Sequence, residues 1–369
     1  MDEMNETAHF FGNSYLDARS KFRAAALAAG QSLESFILEG IQGAQGEDLS
    51  MDVATLGPPR ASHLAVISSG THGPEGFCGS GPQVACFHDA DLQARLHATD
   101  TTLLLIHAIN PYGFSHLRRV NEDNIDLNRN CVDFGHLEQR NAAYAEVHPL
   151  LLPDEWPPSP ANREAIAAFI AQRGQMAYQA AVTPGQYTHP DGMFYGGTKH
   201  AWSVRTLRGI LEAYGQGRSA IAWIDMHTGL GPRGHAEKIH TGSAGEVPLA
   251  RQIWGADLVS LSENDSTSPP HGGAVSLLLP GACPDAKVQT TVSMEFGTQP
   301  IMAVLDAMRG DHWLAQRPGT PAEKAAPIKK AIRDAFYTDD DDWRGMVWGQ
   351  TRTAVVQAIY GLQRAHPRK

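Results

Sequence analysis

Cysteine is scarce in this sequence, long apolar runs are missing and positive charge is in deficit, and each shortage removes a class of protein. The four cysteines, Cys78, Cys86, Cys131 and Cys283, form no C-x-x-C pair and are too few in 369 residues for a disulfide framework, so they read as small buried hydrophobes. The longest apolar runs, LLLIHAI at 103–109 and SLLLPGA at 276–282, fall far short of the roughly 20 residues of a spanning helix, so no membrane partner is expected. The opening stretch MDEMNETAHFFGN is acidic and polar where a signal peptide needs a basic start and an apolar run, which makes a cytoplasmic location the expectation. Thirty Lys and Arg face 40 Asp and Glu, a net charge of -10, and the basic residues are dispersed except for pairs such as Arg118-Arg119 and Lys329-Lys330. Without a basic stripe, nucleic acid is not an expected partner. With 42% apolar and 19% charged residues the chain is also not a disordered one.

What is present alternates between two patterns. Short β-type runs occur at 35–40, 64–70, 101–108, 219–227 and 288–296, several of them almost continuously apolar, as strands covered on both faces are. Helical patterns occupy 14–29, 161–181, 202–215, 300–316 and 343–364. This alternation predicts an α/β fold, a three-layer sandwich. The segment 149–162 carries five prolines, but chemical residues lie on both sides of it, so it reads as a surface excursion inside one domain spanning 1–369. That domain has an insertion at about 131–200 and C-terminal helices at about 300–365, and the acidic run Asp339 to Asp342 reads as a solvated loop before the last of them.

Four polar clusters sit at the ends of predicted strands, where open α/β sheets place ligands. In SSGTHGPEGFCGSG, His72 and Glu75 are three apart, so one short turn aims an imidazole and a carboxylate at a common point, an H-x-x-E pair suited to zinc. Such a pair also arises in a glycine-rich turn that binds nothing, and the glycines lack dinucleotide-binding spacing. In IDMHTGLGPRGH, His227 ends a strand and supplies a third ligand, with His235 and His240 as less direct competitors. Asp225, two residues earlier, faces the same side and either orients a ligand or caps a turn. The loop 110–130 gathers Arg118, Arg119, Asn128 and Arg129, guanidinium forks and an amide that fit an anionic substrate end, or else an Arg-Asp network holding the loop. Glu295, after an alternating strand, has the position of a general base or of a buried ion-paired acid.

The order of these motifs is more telling than any one of them. His72-x-x-Glu75, Asn110-Pro-Tyr-Gly, Asp126-Leu-Asn128-Arg129-Asn130, His227 and Glu295 together resemble the zinc carboxypeptidase superfamily across roughly residues 60–300. The resemblance implies a zinc-dependent exopeptidase-like fold, a mixed, mainly parallel sheet with helices on both faces, forming a catalytic domain with one zinc ion. It assigns His72, Glu75 and His227 to the metal, Glu295 to the general base, Asn128 and Arg129 to the substrate carboxylate, and either Arg118 or Arg119 to the oxyanion. The strings Asp225-Met-His227 and Glu295-Phe-Gly-Thr-Gln are similar to those of the aspartoacylase and succinylglutamate desuccinylase group, and longer phrases resemble a bacterial branch whose substrates are not established. The implied activity is cleavage of an amide bond next to a free carboxylate, in a small peptide or an N-acyl amino acid, with a non-catalytic zinc-binding protein as the rival from another class. The usual N-P-D-G reads Asn110-Pro-Tyr112-Gly here, and Tyr187 and Tyr195 are the candidates for a tyrosine that closes over substrate. No oligomeric state is indicated.

Overall fold

The computed structural model describes residues 7–137 and 141–365; the first six residues of the acidic opening stretch, three residues of the expected insertion and the last four of the chain lie outside it. Eight strands form one mixed sheet: β1 (Leu33–Gln42), β2 (Asp48–Leu56), β3 (His63–Ser68), β4 (Thr101–His107), β5 (Ala220–Arg233), β6 (Ala236–His240), β7 (Leu258–Ser260) and β8 (Val288–Gly297). They lie in the order β1-β2-β4-β3-β5-β8-β6-β7. The central run β4-β3-β5-β8 is parallel, while β1, β2 and β6 pair antiparallel to their inner neighbours.

Helices cover both faces, and the two-residue period of the strands divides the core between them. Ala65 and Ile67 of β3 and Ala222 and Ile224 of β5 pack with Phe22, Val84 and Val355, from the helices Tyr15–Ala28, Gly76–His88 and Asp341–Ala365. The intervening Leu64, Val66, Ile221 and Trp223 face the other way, against Val204, Leu207 and Leu211 of the helix Trp202–Gly215. This is the α/β architecture expected, with the parallel strands at its centre.

Several elements differ from the sequence reading for identifiable reasons. The helical pattern at 161–181 is two helices, Pro160–Arg173 and Gln175–Val182, because Gly174 takes φ 90° between them. Strand β2 escapes notice because Asp52 interrupts its apolar run; the carboxylate is buried and held by Arg19 at 2.8 Å. The glycine-rich string after β3 is the helix Gly76–His88 despite its poor propensity. A Cβ on Gly79 would stand 2.6 Å from Ser69 Cβ and 2.9 Å from Met226 Cβ, so the helix lies closer to the sheet than a side chain permits. The helix Ala322–Phe336 lies within the C-terminal helical region expected at about 300–365, between the two helical patterns read there. The acidic run is not simply a solvated loop: Asp341 and Asp342 open the last helix, Asp339 pairs with Arg333 at 2.8 Å, and Asp340 pairs with Arg233 at 2.5 Å. All four cysteines are free, three buried and Cys131 partly so. Among the described residues no helix is long and apolar enough to cross a membrane.

Candidate functional site

The chain leaves β3 to form β4 on one side of it and later returns to form β5 on the other, so the C-terminal ends of β3 and β5 part into a crevice. His72 and Glu75 occupy the tight turn just beyond β3, which is squeezed against the Asn110-Pro-Tyr-Gly turn. A Cβ on Gly73 would lie 1.9 Å from the Gly113 carbonyl carbon, so only glycine fits there. His227 comes from β5, and its register partner on β8 is Glu295. Four side chains, two from the turn after β3 and two from paired positions on β5 and β8, thus converge without any long-range device beyond strand pairing.

His72, Glu75 and His227 are all buried, and one ligand atom from each lies within 4.8 Å of the others. The Glu75 carboxylate faces both imidazoles, with Oε1 2.9 Å from His72 Nδ1 and Oε2 2.8 Å from His227 Nδ1. The far nitrogens are held from behind: Asp126 Oδ1 is 3.2 Å from His72 Nε2, and Asp225 Oδ2 is 2.6 Å from His227 Nε2. Asp225 is itself fixed by the hydroxyls of Ser68, at 2.6 Å, and Thr71, at 3.0 Å. Each imidazole therefore turns Nδ1 to a common centre and Nε2 to a carboxylate, the orientation metal-binding histidines adopt. His235 is exposed, and His240 bonds the Thr291 carbonyl at 3.0 Å, so neither joins the cluster.

The charges point the same way. Glu75, Asp126, Asp225 and Glu295 are four buried carboxylates against the guanidinium groups of Arg119 and Arg129. With all ionised, two negative charges remain, which a divalent cation cancels; the donor set of two nitrogens and a carboxylate suits zinc. These groups also shift one another's proton affinities. Burial, and then the charge of Glu75, raise the Glu295 carboxyl to about 8. Burial also works against Glu75, yet His72 and His227 pull it down to about 2. Burial alone would lower His227, but Asp225 and Glu75 outweigh it and hold it well above the usual range.

The two arginines of the doublet point to different places, just after Leu117, at φ 51°, ends the short helix Pro111–His116. Arg118 leaves the site for Asp311, at 3.3 Å, and Asn124, at 3.0 Å. Arg119 lines the cavity over the His72, Glu75 and His227 cluster, with Nε 2.9 Å from Asp126 and Nη1 3.4 Å from Glu75. The Asn110 amide steadies it by donating to the Arg119 carbonyl at 3.3 Å. Arg129 and Asn128 also line the cavity. Arg129 donates to the Thr183 carbonyl from Nε and Nη2, at 3.2 and 2.7 Å, and to the Asn128 carbonyl from Nη1 at 2.9 Å, leaving other N–H groups for the cavity. Asn128 accepts from Val275 N–H at 2.9 Å. Phe194, a non-glycine residue at φ 55°, puts its ring under both guanidinium groups, 5.3 Å from Arg119 and 5.6 Å from Arg129.

The cavity above this floor has a volume of about 250 Å³ and is walled by Tyr178, Val182, Val304, Leu305, Met308 and Phe336. Neither tyrosine singled out in the sequence reaches it: Tyr187 donates to the Arg129 carbonyl at 2.7 Å from behind, and Tyr195 is buried in the core under the helix Trp202–Gly215. The tyrosine that does line it is Tyr178. Sequence reasoning also missed Phe194, Thr183 and the role of Asp126, which stood within the quoted Asp126-Leu-Asn128-Arg129-Asn130 string but without an assignment.

Solved structures share this fold. The thrombin activatable fibrinolysis inhibitor aligns with a TM-score of 0.51 at 12% identity, over 96% of this chain and 75% of its own. A carboxypeptidase A from Helicoverpa armigera (TM-score 0.42, 12% identity, 88% and 74% covered) and a metallo-carboxypeptidase from Burkholderia cenocepacia (0.40, 14%, 88% and 69%) also match. At these identities the likeness is one of fold alone, the mixed α/β sheet with helices on both faces that the motifs implied. No curated protein matches the sequence. A family model described as a protein of unknown function, DUF2817, matches residues 11–350, and the chain belongs to that family.

Proposed function

We propose that the protein is a zinc-dependent hydrolase that cleaves an amide bond next to a free carboxylate. The observation that carries this reading is the buried Glu295 carboxyl in the same cavity as the His72, Glu75 and His227 cluster and two arginines. Bound by those three residues, zinc supplies Lewis acidity toward a carbonyl oxygen and toward water. Glu295, buried in the same cavity as the cluster, accepts the proton of the attacking water and returns it to the leaving nitrogen. Arg119, charged and fixed by Asp126, donates to the oxygen on which negative charge develops. Arg129 and Asn128 grip the terminal carboxylate and so set the scissile bond over Glu295. Asp126 and Asp225 keep the two imidazoles turned inward. A cytoplasmic location and a small-molecule substrate belong to the same proposal.

Removal of an N-acyl group from an amino acid is the second reading, favoured by the helix Gln175–Val182, which walls a cavity of only about 250 Å³ where an extended peptide needs an open groove. Metal content of protein purified without added metal, compared with His72→Ala, tests the centre: about one zinc per chain, lost in the variant, is expected. A screen of C-terminally free peptides against N-acyl amino acids then separates the two readings. Zinc without turnover of either class would leave a non-catalytic zinc-binding protein.

A further inference from the structure

The wall of the cavity has a chemistry the floor does not share. Val304, Leu305 and Met308 project into it from the helix Ile301–Ala315, and Phe336 closes it from the end of the helix Ala322–Phe336. These four belong to one apolar cluster with Tyr178, Val182 and Phe194. The same helix continues to the mouth, where Ile301 and Met302 still line the cavity yet are 49% and 42% exposed. Single exposed apolar residues need no explanation, but two that prolong a buried apolar wall into solvent make a track.

The ends of that track are chemically different. The carboxylate corner is made by Asn128 and Arg129 with the segment that follows residue 272: Gly273 lies against the Arg129 backbone, and Val275 N–H is bonded to Asn128. The wall meets the site at Glu295: Val304 and Phe336 pack on Gly229, next to Leu230, whose N–H donates to Glu295 at 3.1 Å. A substrate held by its carboxylate at Arg129, with its amide at Glu295, sends its acyl portion along the helix Ile301–Ala315. The groups that Val304, Leu305 and Met308 present there are hydrocarbon and thioether, and behind them the Ala303 and Val304 N–H groups are already bonded to the Pro300 carbonyl. A peptide laid on this surface would bury N–H and C=O groups without partners, a penalty an aliphatic chain does not incur.

We infer that the substrate is an amino acid N-acylated by an aliphatic chain, the chain running over Val304, Leu305 and Met308 to the rim at Ile301 and Met302. This rests on the amide-hydrolase reading above. Water adds to the acyl carbon, the C–N bond breaks, and one water proton ends on the leaving amine, so the products are the free amino acid and the aliphatic carboxylic acid.

The test is kcat/KM of the zinc-loaded full chain on N-acetyl, N-hexanoyl and N-decanoyl derivatives of a mixed set of amino acids, for wild type, Met302→Glu and Ile301→Glu. Both substitutions sit where a charge reaches water, so the fold tolerates them, and melting curves verify this. Each methylene in contact with the wall should raise kcat/KM by about two- to fourfold, the effect of burying one CH2. Either glutamate should flatten that rise. N-acetyl compounds cleaved as well as N-decanoyl ones, or a chain-length slope unchanged in both variants, would overturn the chain site and leave the hydrolase reading standing. If nothing is turned over, calorimetric binding of the N-decanoyl and N-acetyl compounds decides. Binding at least tenfold tighter for the longer chain, and weakened by Met302→Glu, keeps the chain site and removes the hydrolase reading; equal binding overturns the chain site.

Discussion

At the floor of the cavity, His72, Glu75, His227, Asp126 and Asp225 each meet at least one partner between 2.6 and 3.2 Å, and each partner is specific to one atom. On the wall, Val304, Leu305, Met308 and Phe336 meet their neighbours through surface alone. The floor is a charge network in a buried, low-dielectric setting, where removing one atom leaves another unpaired. The wall is an additive apolar surface, where removing one side chain costs its own area and little else. The two regions should therefore fail in different ways.

The largest effect is expected from the smallest change. Glu295→Gln exchanges one oxygen for a nitrogen, keeps the volume, and should lower turnover by about 10² to 10⁴ while zinc content stays near one per chain. Turnover within a few-fold of wild type would remove Glu295 as the base. Arg119→Ala should cost about 10² to 10³ in kcat, whereas Arg118→Ala, whose side chain binds Asp311, should show in the melting temperature instead. Equal kinetic losses in the two variants would remove Arg119 as the oxyanion donor. Asp225→Asn weakens the support of His227 and should loosen zinc by about 10- to 100-fold in a chelator competition.

The wall supplies the contrasting case. Leu305→Ala should lower unfolding free energy by about 2 kcal/mol, at the low end for a core leucine because part of the side chain faces the cavity, with zinc affinity unaltered. A change in zinc affinity there would mean that floor and wall are coupled.

The smallest expected effect is a pH slope in the metal-free protein. Glu295 is held at about 8 against an ordinary 4.5, so between those values the folded chain keeps a proton that the unfolded chain has released. Stability accordingly falls as pH rises through that window. His227 adds the same sign: held well above 6.5, its contribution is complete below that value and lost as pH rises through its folded one. Melting temperatures of metal-free protein between about pH 5 and 8 should fall less steeply in Glu295→Gln than in wild type, and identical slopes would locate the extra proton on another group.

The same contrast explains how much could be read from the sequence. His72 and Glu75 are three residues apart, and His227 and Glu295 each stand late in an apolar strand pattern, although β5 runs on to Arg233 and β8 to Gly297, so local spacing and strand pattern suffice to nominate them. That Arg119 and not Arg118 faces the cavity depends on distant partners, Asp311 for one and Asp126 and Glu75 for the other, which no motif announces. Val304, Leu305 and Met308 carry the apolar pattern of any core helix, and whether such a face covers a sheet or a cavity is decided by packing with the helices Gln175–Val182 and Ala322–Phe336. Strand β2 and the helix Gly76–His88 were hidden for a related reason: Asp52 and the glycines answer to tertiary neighbours, Arg19 and the sheet, rather than to local propensity.

Phe194 ties the two arginines into one energetic unit. A single ring supports both Arg119 and Arg129, and its own backbone is pinned where Gln186 N–H donates to the Phe194 carbonyl at 3.1 Å. Losses measured at Arg119 and Arg129 separately should then not sum to the loss in the double variant, because either substitution already frees the ring on which the other side chain leans.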